Sequence, residues 1–240
     1  MIRFYCPEIE ENPLMPEVES GHCVRVLRHQ PGDLFEVVDG KGWLYTVRLV
    51  DAHPKRAMVE IVERRELPSY WEGKLVLAVA PTKNMDRMEW LVEKATEVGM
   101  DGFVPLHCRF SERKEIKRER LEKTAVSAMK QSLKASLPEI SEMTPFSRFI
   151  ERYRDFPGKF IAHCVDDGQR RLLAREYRPG EDSVILIGPE GDFSQEEISM
   201  ALEAGFRPVS LGDARLRTET AALTALETFH IAGQLKSSAD

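Results

Sequence analysis

The chain has 240 residues, of which 42% are hydrophobic and 31% charged, and its formal net charge is −6. That balance excludes a disordered or fibrous chain, and no apolar run is long enough to cross a bilayer. The start, "MIRFYCPEIEENP", is acidic and broken by prolines, unlike a signal peptide, so the cytoplasm is the expected location.

In chain order, "SGHCVRVLR" reads as helical and "QPGD" as a turn into a strand. "LFEVVDGKGWLYTVRLV" is two apolar strands joined at Asp39-Gly40-Lys41-Gly42, and "RAMVEIVERRE" is a further strand with alternating faces. "ELPSYWEG" breaks the pattern and marks a boundary, giving a β-rich module over 1–70 and a second module over 71–240. From Lys74 the strands "KLVLAVA", "GFVPLH", "KFIAHCV", "SVILIGP" and "RPVSLG" alternate with helices. Their near-continuous apolar character predicts an α/β fold with a parallel sheet covered on both faces.

The cysteines, Cys6, Cys23, Cys108 and Cys164, are scattered and form no C-x-x-C pair. This points to a reduced compartment, small buried hydrophobes and no metal site. Charge is uneven: His107 to Lys134 holds 9 basic and 4 acidic residues, a net +5 on an acidic protein. The interleaving in "SERKEIKRERLEK" is that of a solvated helix face with i,i+4 pairs, and the residues alone favour that reading.

Two strand ends are unusual. Ile187-Gly188-Pro189-Glu190-Gly191 leads to Ser194 and Glu197, the spacing of a capping box, and Leu211-Gly212-Asp213 leads into a helix starting near Thr218. Ligands of parallel sheets bind at the carboxyl ends of strands, and glycines there let a molecule approach the bare backbone. Neither phosphate-binding glycine spacing occurs, and Glu190 would repel a phosphate, so a nucleoside without phosphates fits better. Sharp strand-to-helix turns alone explain the glycines equally well.

"LIGPEGDFSQEEI" and "LGDARLRTETAALTAL" resemble the two C-terminal signatures of the RsmE family. These are SPOUT-superfamily methyltransferases that act on N3 of a uridine in 16S ribosomal RNA. The likeness extends to His22, Val26-Leu27-Arg28, Gly32-Asp33 and Asp39-Gly40, to "RMEWLVEKATEVGM", to Pro105 and "SERK", and to Gln131 and Pro138. It implies a trefoil-knot methyltransferase domain, a small N-terminal PUA-like β-barrel that binds RNA, and a homodimer through the apolar last helix (Ala222, Leu223, Leu226, Phe229, Ile231). It also implies S-adenosylmethionine as cofactor, lined by His163, Ile187, Gly188, Pro189, Glu190, Gly191, Leu211, Gly212, Leu216, Arg217, Thr218 and Thr220. The sequence departs from the family at Asp192, where a second glycine is common, at Ala214-Arg215, and at Lys130 and Lys134, which replace Glu and Arg.

N3 of uracil must lose a proton as the methyl group arrives, and the charge left behind spreads over N3 and both carbonyl oxygens. Arg217 is the expected stabilising cation, with Glu219 or Glu190 as candidate general bases. The alternatives for the same residues are a phosphate or dimer contact for Arg217, cofactor orientation for Glu190 and helix stabilisation for Glu219. Arg25, Arg28, Arg109, Arg113, Lys130, Gln131 and Lys134 are the expected RNA contacts, with 16S rRNA or the assembled small subunit as partner. Two rivals remain: a non-catalytic RNA-binding protein, and a knotted methyltransferase acting on another base or a ribose 2′-hydroxyl.

Overall fold

The computed structural model describes residues 2–165, 168 and 170–237. The chain divides into two compact units, one formed by Met1–Tyr70 with Val126–Leu137, the other by Trp71–Ala125 with Pro138–Asp240.

In the first unit, β1 (Arg3–Tyr5) runs parallel to β2 (Leu34–Val38), which pairs antiparallel with β3 (Trp43–Asp51), and β3 with β4 (Met58–Glu66). The result is one mixed four-stranded sheet. Asp39 sets the β2–β3 turn: its Oδ1 accepts from the N–H groups of Lys41 (2.7 Å) and Trp43 (3.1 Å). Gly40 and Gly42 follow at φ +78° and +100°, backbone that side chains resist. The segment expected to be helical is α1 (Glu17–Gly21) running on into a π-helical turn over His22–Val26. Phe4, Cys23, Phe35, Val37 and Val47 fill the core, with the Phe4 and Phe35 rings edge to face at 4.9 Å.

By their contacts, the second half of α3 (Arg118–Gln131) and the residues after it, 126–137, group with this first unit. Met129 and Ala135 are buried with Val38 and Leu44, a pairing too distant in sequence for periodicity to reveal. The N–H of Gly42 donates to the Ala135 carbonyl at 3.0 Å, and that of Leu137 to the Gly40 carbonyl at 2.9 Å. Lys130 Nζ lies 2.5 Å from Glu19 Oε1, where side-chain exposures of 21% and 7% make this a largely desolvated ion pair. Lys130 is thus engaged within this unit.

In the second unit, eight strands form one parallel sheet. Its main path is β10 (Arg171–Leu172), β12 (Arg207–Ser210), β9 (Gly158–Ala162), β11 (Ser183–Ile187), β5 (Leu75–Val79), β6 (Gly102–His107) and β7 (Glu139–Ile140); β8 (Thr144–Pro145) pairs with β6. Helices α2 (Met85–Val98), α4 (Phe146–Arg152), α5 (Leu173–Glu176), α6 (Gln195–Glu203) and α7 (Thr218–Ser237) complete it. Both β5 and β11 are buried at every position, as the continuous apolar runs require. Val76, Ala78, Val184 and Leu186 face a core with Phe146 and Phe149 of α4 and Ile198 and Ala201 of α6. On α7, Phe229 packs its ring against Phe160 and Tyr177 at 5.8 and 4.6 Å.

The path after β12 decides the topology. β12 lies beyond β9, yet α7 returns across the sheet to pack on β11, β5, α2 and α5.

Removing one partner of a desolvated pair leaves the other buried and uncompensated, which costs about 3–5 kcal/mol. Lys130→Met is therefore expected to destabilise the first unit by that order in urea unfolding, and the double exchange Glu19→Lys with Lys130→Glu to recover much of the loss. An unchanged midpoint for Lys130→Met would show that the pair contributes nothing.

Candidate cofactor site at three strand ends

The site forms where three adjacent parallel strands end together. Ala162, the last residue of β9, is level with Ile187 of β11 on one side and Val209 of β12 on the other. The loops after them therefore emerge side by side: His163-Cys164, Gly188 to Phe193, and Leu211-Gly212. A fourth segment, Leu216 to Thr220, is brought in by the return of α7. Thr218 Oγ1 donates to the Gly188 carbonyl at 3.1 Å, a buried bond 30 residues apart in sequence.

Each loop has its own local cause. The Asp192 N–H donates to the Pro189 carbonyl at 2.9 Å, closing a tight turn. A Cβ at Gly188 would lie 3.1 Å from the Phe193 ring, so a side chain there would press on it. The capping box expected at Ser194 is present: Ser194 N–H donates to Glu197 Oε2 (2.9 Å) and Glu197 N–H to Ser194 Oγ (3.3 Å). Glu197 also accepts from the Arg109 N–H at 2.8 Å, holding the loop after β6 to α6. Gly212 stands at φ +114° with open space where a side chain would be.

Placement of the expected lining residues is mixed in exposure. Ile187, Gly188, Pro189, His163 and Thr218 are buried; Leu211 and Leu216 are half-buried; Glu190, Gly191, Gly212, Arg217 and Thr220 are exposed. Glu219 is buried, and its Oε2 accepts a hydrogen bond from no described residue. Its other oxygen lies 3.7 Å from Arg87 Nε, and Arg87 Nη1 lies 3.8 Å from Glu190 Oε1. Arg87, in the first turn of α2, thus stands between the two carboxylates that sequence reasoning had singled out separately. The motif "RMEWLVEKATEVGM" contains it, but no spacing indicates that it turns toward loops a hundred residues away.

These groups suit a small polar ligand approached along bare backbone. A buried carboxylate oxygen without a donor is a costly state that a ligand N–H or O–H relieves. No described residue supplies a phosphate cradle. Among the described residues, no group of three or more His, Cys, Asp or Glu could hold a metal ion, and no helix is long and apolar enough to cross a membrane. Burial pushes the Cys108 thiol well above its ordinary value and the Cys23 thiol up to about 11, which keeps both protonated.

The expected RNA contacts divide. Arg25, Arg28, Arg109 and Gln131 have exposed side chains. Lys134 is half-buried, its ammonium 5.5 Å from the centre of the Tyr70 ring. Arg113 is largely committed within its unit, donating to the carbonyls of Thr82 (3.2 Å) and Lys83 (2.5 Å). On α7, Ala222, Leu226 and Phe229 are consumed by the core, which leaves Leu223, Ile231 and also Leu235 on one stripe that is at least partly exposed.

A family model described as an RNA methyltransferase domain matches residues 70–230, and one described as an RNA methyltransferase PUA domain matches residues 19–62. The crystal structure of a probable rRNA-methyltransferase from Porphyromonas gingivalis is 43% identical, with a TM-score of 0.91 over 98% of this chain and 100% of that one. A ribosomal RNA small subunit methyltransferase E from Neisseria gonorrhoeae, solved bound to S-adenosyl methionine, is 27% identical, with a TM-score of 0.82 over 96% of this chain and 97% of that one. The protein of that name from Synechocystis is 32% identical over 225 residues, 91% of this chain and 72% of its own length. The chain belongs to the RsmE family of RNA methyltransferases.

Proposed function

We propose that this protein methylates N3 of a uridine in 16S ribosomal RNA, with S-adenosylmethionine bound at the three strand ends, and that it works in the cytoplasm, where ribosomal subunits are made. The observation that carries the reading is the convergence of the glycine loops after β9, β11 and β12 with the Arg217-Thr218-Glu219-Thr220 segment, in a chain of this family.

The residues fit that cofactor. It has no phosphate, in keeping with the missing phosphate loops, and it offers hydroxyl and ammonium donors of the kind Glu219 Oε2 lacks. His163, Leu211, Gly212, Leu216, Thr218 and Thr220, with the backbone of Ile187 to Gly191, would hold it. When bound, it supplies an electrophilic methyl group on a sulfonium.

The protein supplies the electrostatics. Arg217 is exposed, and no described residue engages its guanidinium, so it is free to meet charge that develops on the uracil oxygens. Of the two carboxylates, Glu190 is the one a nucleobase can reach, at 48% side-chain exposure against 10% for Glu219. Glu190 therefore takes the N3 proton, while Glu219 holds Arg87 and the bound cofactor in place. Arg25, Arg28 and Arg109 track phosphates, with Gln131 and Lys134 as further contacts. A second copy packs on the Leu223, Ile231 and Leu235 stripe.

Small subunits lacking the modification, incubated with the protein and S-adenosylmethionine and digested to nucleosides, should yield 3-methyluridine by mass spectrometry. Arg217→Ala should lower turnover by about 10²–10³-fold, and Glu190→Gln by at least about 10²-fold, with cofactor affinity retained. A different methylated nucleoside would move the protein to another substrate, and wild-type turnover in either variant would remove that residue from the mechanism. Sedimentation should show a dimer that Ile231→Glu converts to monomer; a wild-type monomer would contradict the shared α7 stripe.

A further inference from the structure

Asp192 is an anomaly that the reaction leaves unused. It occupies left-handed backbone, at φ +65°, the region that favours glycine. Aspartate is among the few side chains that tolerate that conformation, and here both of its carboxylate oxygens are engaged. Oδ1 accepts from the N–H of Phe193 at 2.9 Å, within its own loop. Oδ2 accepts from the N–H of Cys164 at 2.8 Å, in the loop after β9. The carboxylate also lies over Gly188, where a Cβ would come within 3.4 Å of Oδ1. One side chain thus joins two of the loops that converge on the candidate site, and does so across 28 residues of sequence.

We infer that Asp192 is a positioning residue that pre-orders the His163-Cys164 loop against the Gly188–Gly191 turn, so that the cofactor meets a site already assembled. A glycine here would keep the turn, because the Asp192 N–H bond to Pro189 is made by backbone. It would lose both side-chain bonds, of which the one to Cys164 joins the two loops. The loop after β9 would then be ordered at the moment of binding, and affinity would fall by the cost of ordering it. Turnover at saturating cofactor would not change, because the carboxylate touches no reacting group. The inference rests on the cofactor reading above.

The first test needs no cofactor. In Asp192→Gly, the Cys164 amide should exchange with solvent about tenfold or more faster than in the wild type, while amides of β9 and β11 keep their rates. The second is calorimetric titration with S-adenosylmethionine. Asp192→Gly should bind about tenfold more weakly, with KM for the cofactor raised in proportion and kcat within about twofold. Asp192→Asn, which keeps one acceptor and tolerates the same backbone, should fall between the two. Wild-type exchange at Cys164 in Asp192→Gly would overturn the link, and faster exchange with unchanged affinity would overturn its role in binding. A fall in kcat with KM unchanged would also overturn it. If the wild-type protein binds no S-adenosylmethionine, the cofactor reading fails, whereas the amide exchange still reports on Asp192 by itself.

Discussion

The bond from Thr218 to the Gly188 carbonyl fastens the return of the chain after β12. Without that return, α7 would have no reason to cross from the β12 side of the sheet to β11 and β5, and Arg217 and Glu219 would not meet the Gly188 turn. The bond is buried and distant in sequence, so its loss would leave an acceptor unpaired at the centre of the site. Parallel strands supply the frame: because Ala162 is level with both Ile187 and Val209, three loops open at one height. Function at this site is thus a product of topology before it is a product of any one side chain.

Charge in this protein serves two purposes that composition cannot separate. The basic run from His107 to Lys134 looks uniform, but its members part company in the structure. Lys130 neutralises the buried Glu19, and Arg113 donates to two carbonyls, so both hold the fold. Arg118 and Arg120 pair with neighbouring carboxylates on the surface, contacts of small energetic consequence. Arg109 keeps its side chain exposed while its backbone is pinned by Glu197, an arrangement suited to presenting a cation from a fixed point. The carboxylates sort in the same way, with Glu219 buried behind Arg87 and Glu190 in front of it.

Much of this was legible in the sequence where the signal is local. Continuous apolar runs identified β5 and β11, the Ser194–Glu197 spacing identified the start of α6, and the helix expected near Thr218 begins there. What could not be read depends on contacts between distant segments. The attachment of 126–137 to the first unit rests on Met129 meeting Val38 and Leu44, and a helical pattern reports only that one face is apolar. The same limit applies to α7, whose apolar residues are mostly spent on the chain's own core. Arg87 lay hidden because one guanidinium between two carboxylates has no sequence period. Two-residue strands such as β7, β8 and β10 are too short to have one.

The central claim is that the loops after β9, β11 and β12 and the Leu216–Thr220 segment form one S-adenosylmethionine site. A crystal structure of the protein grown with S-adenosylhomocysteine tests it directly. The account predicts that ligand between these loops, against the backbone of Gly188 and Gly212, with a ligand donor on Glu219 Oε2. Ligand density elsewhere on the chain, with these loops empty, would contradict it.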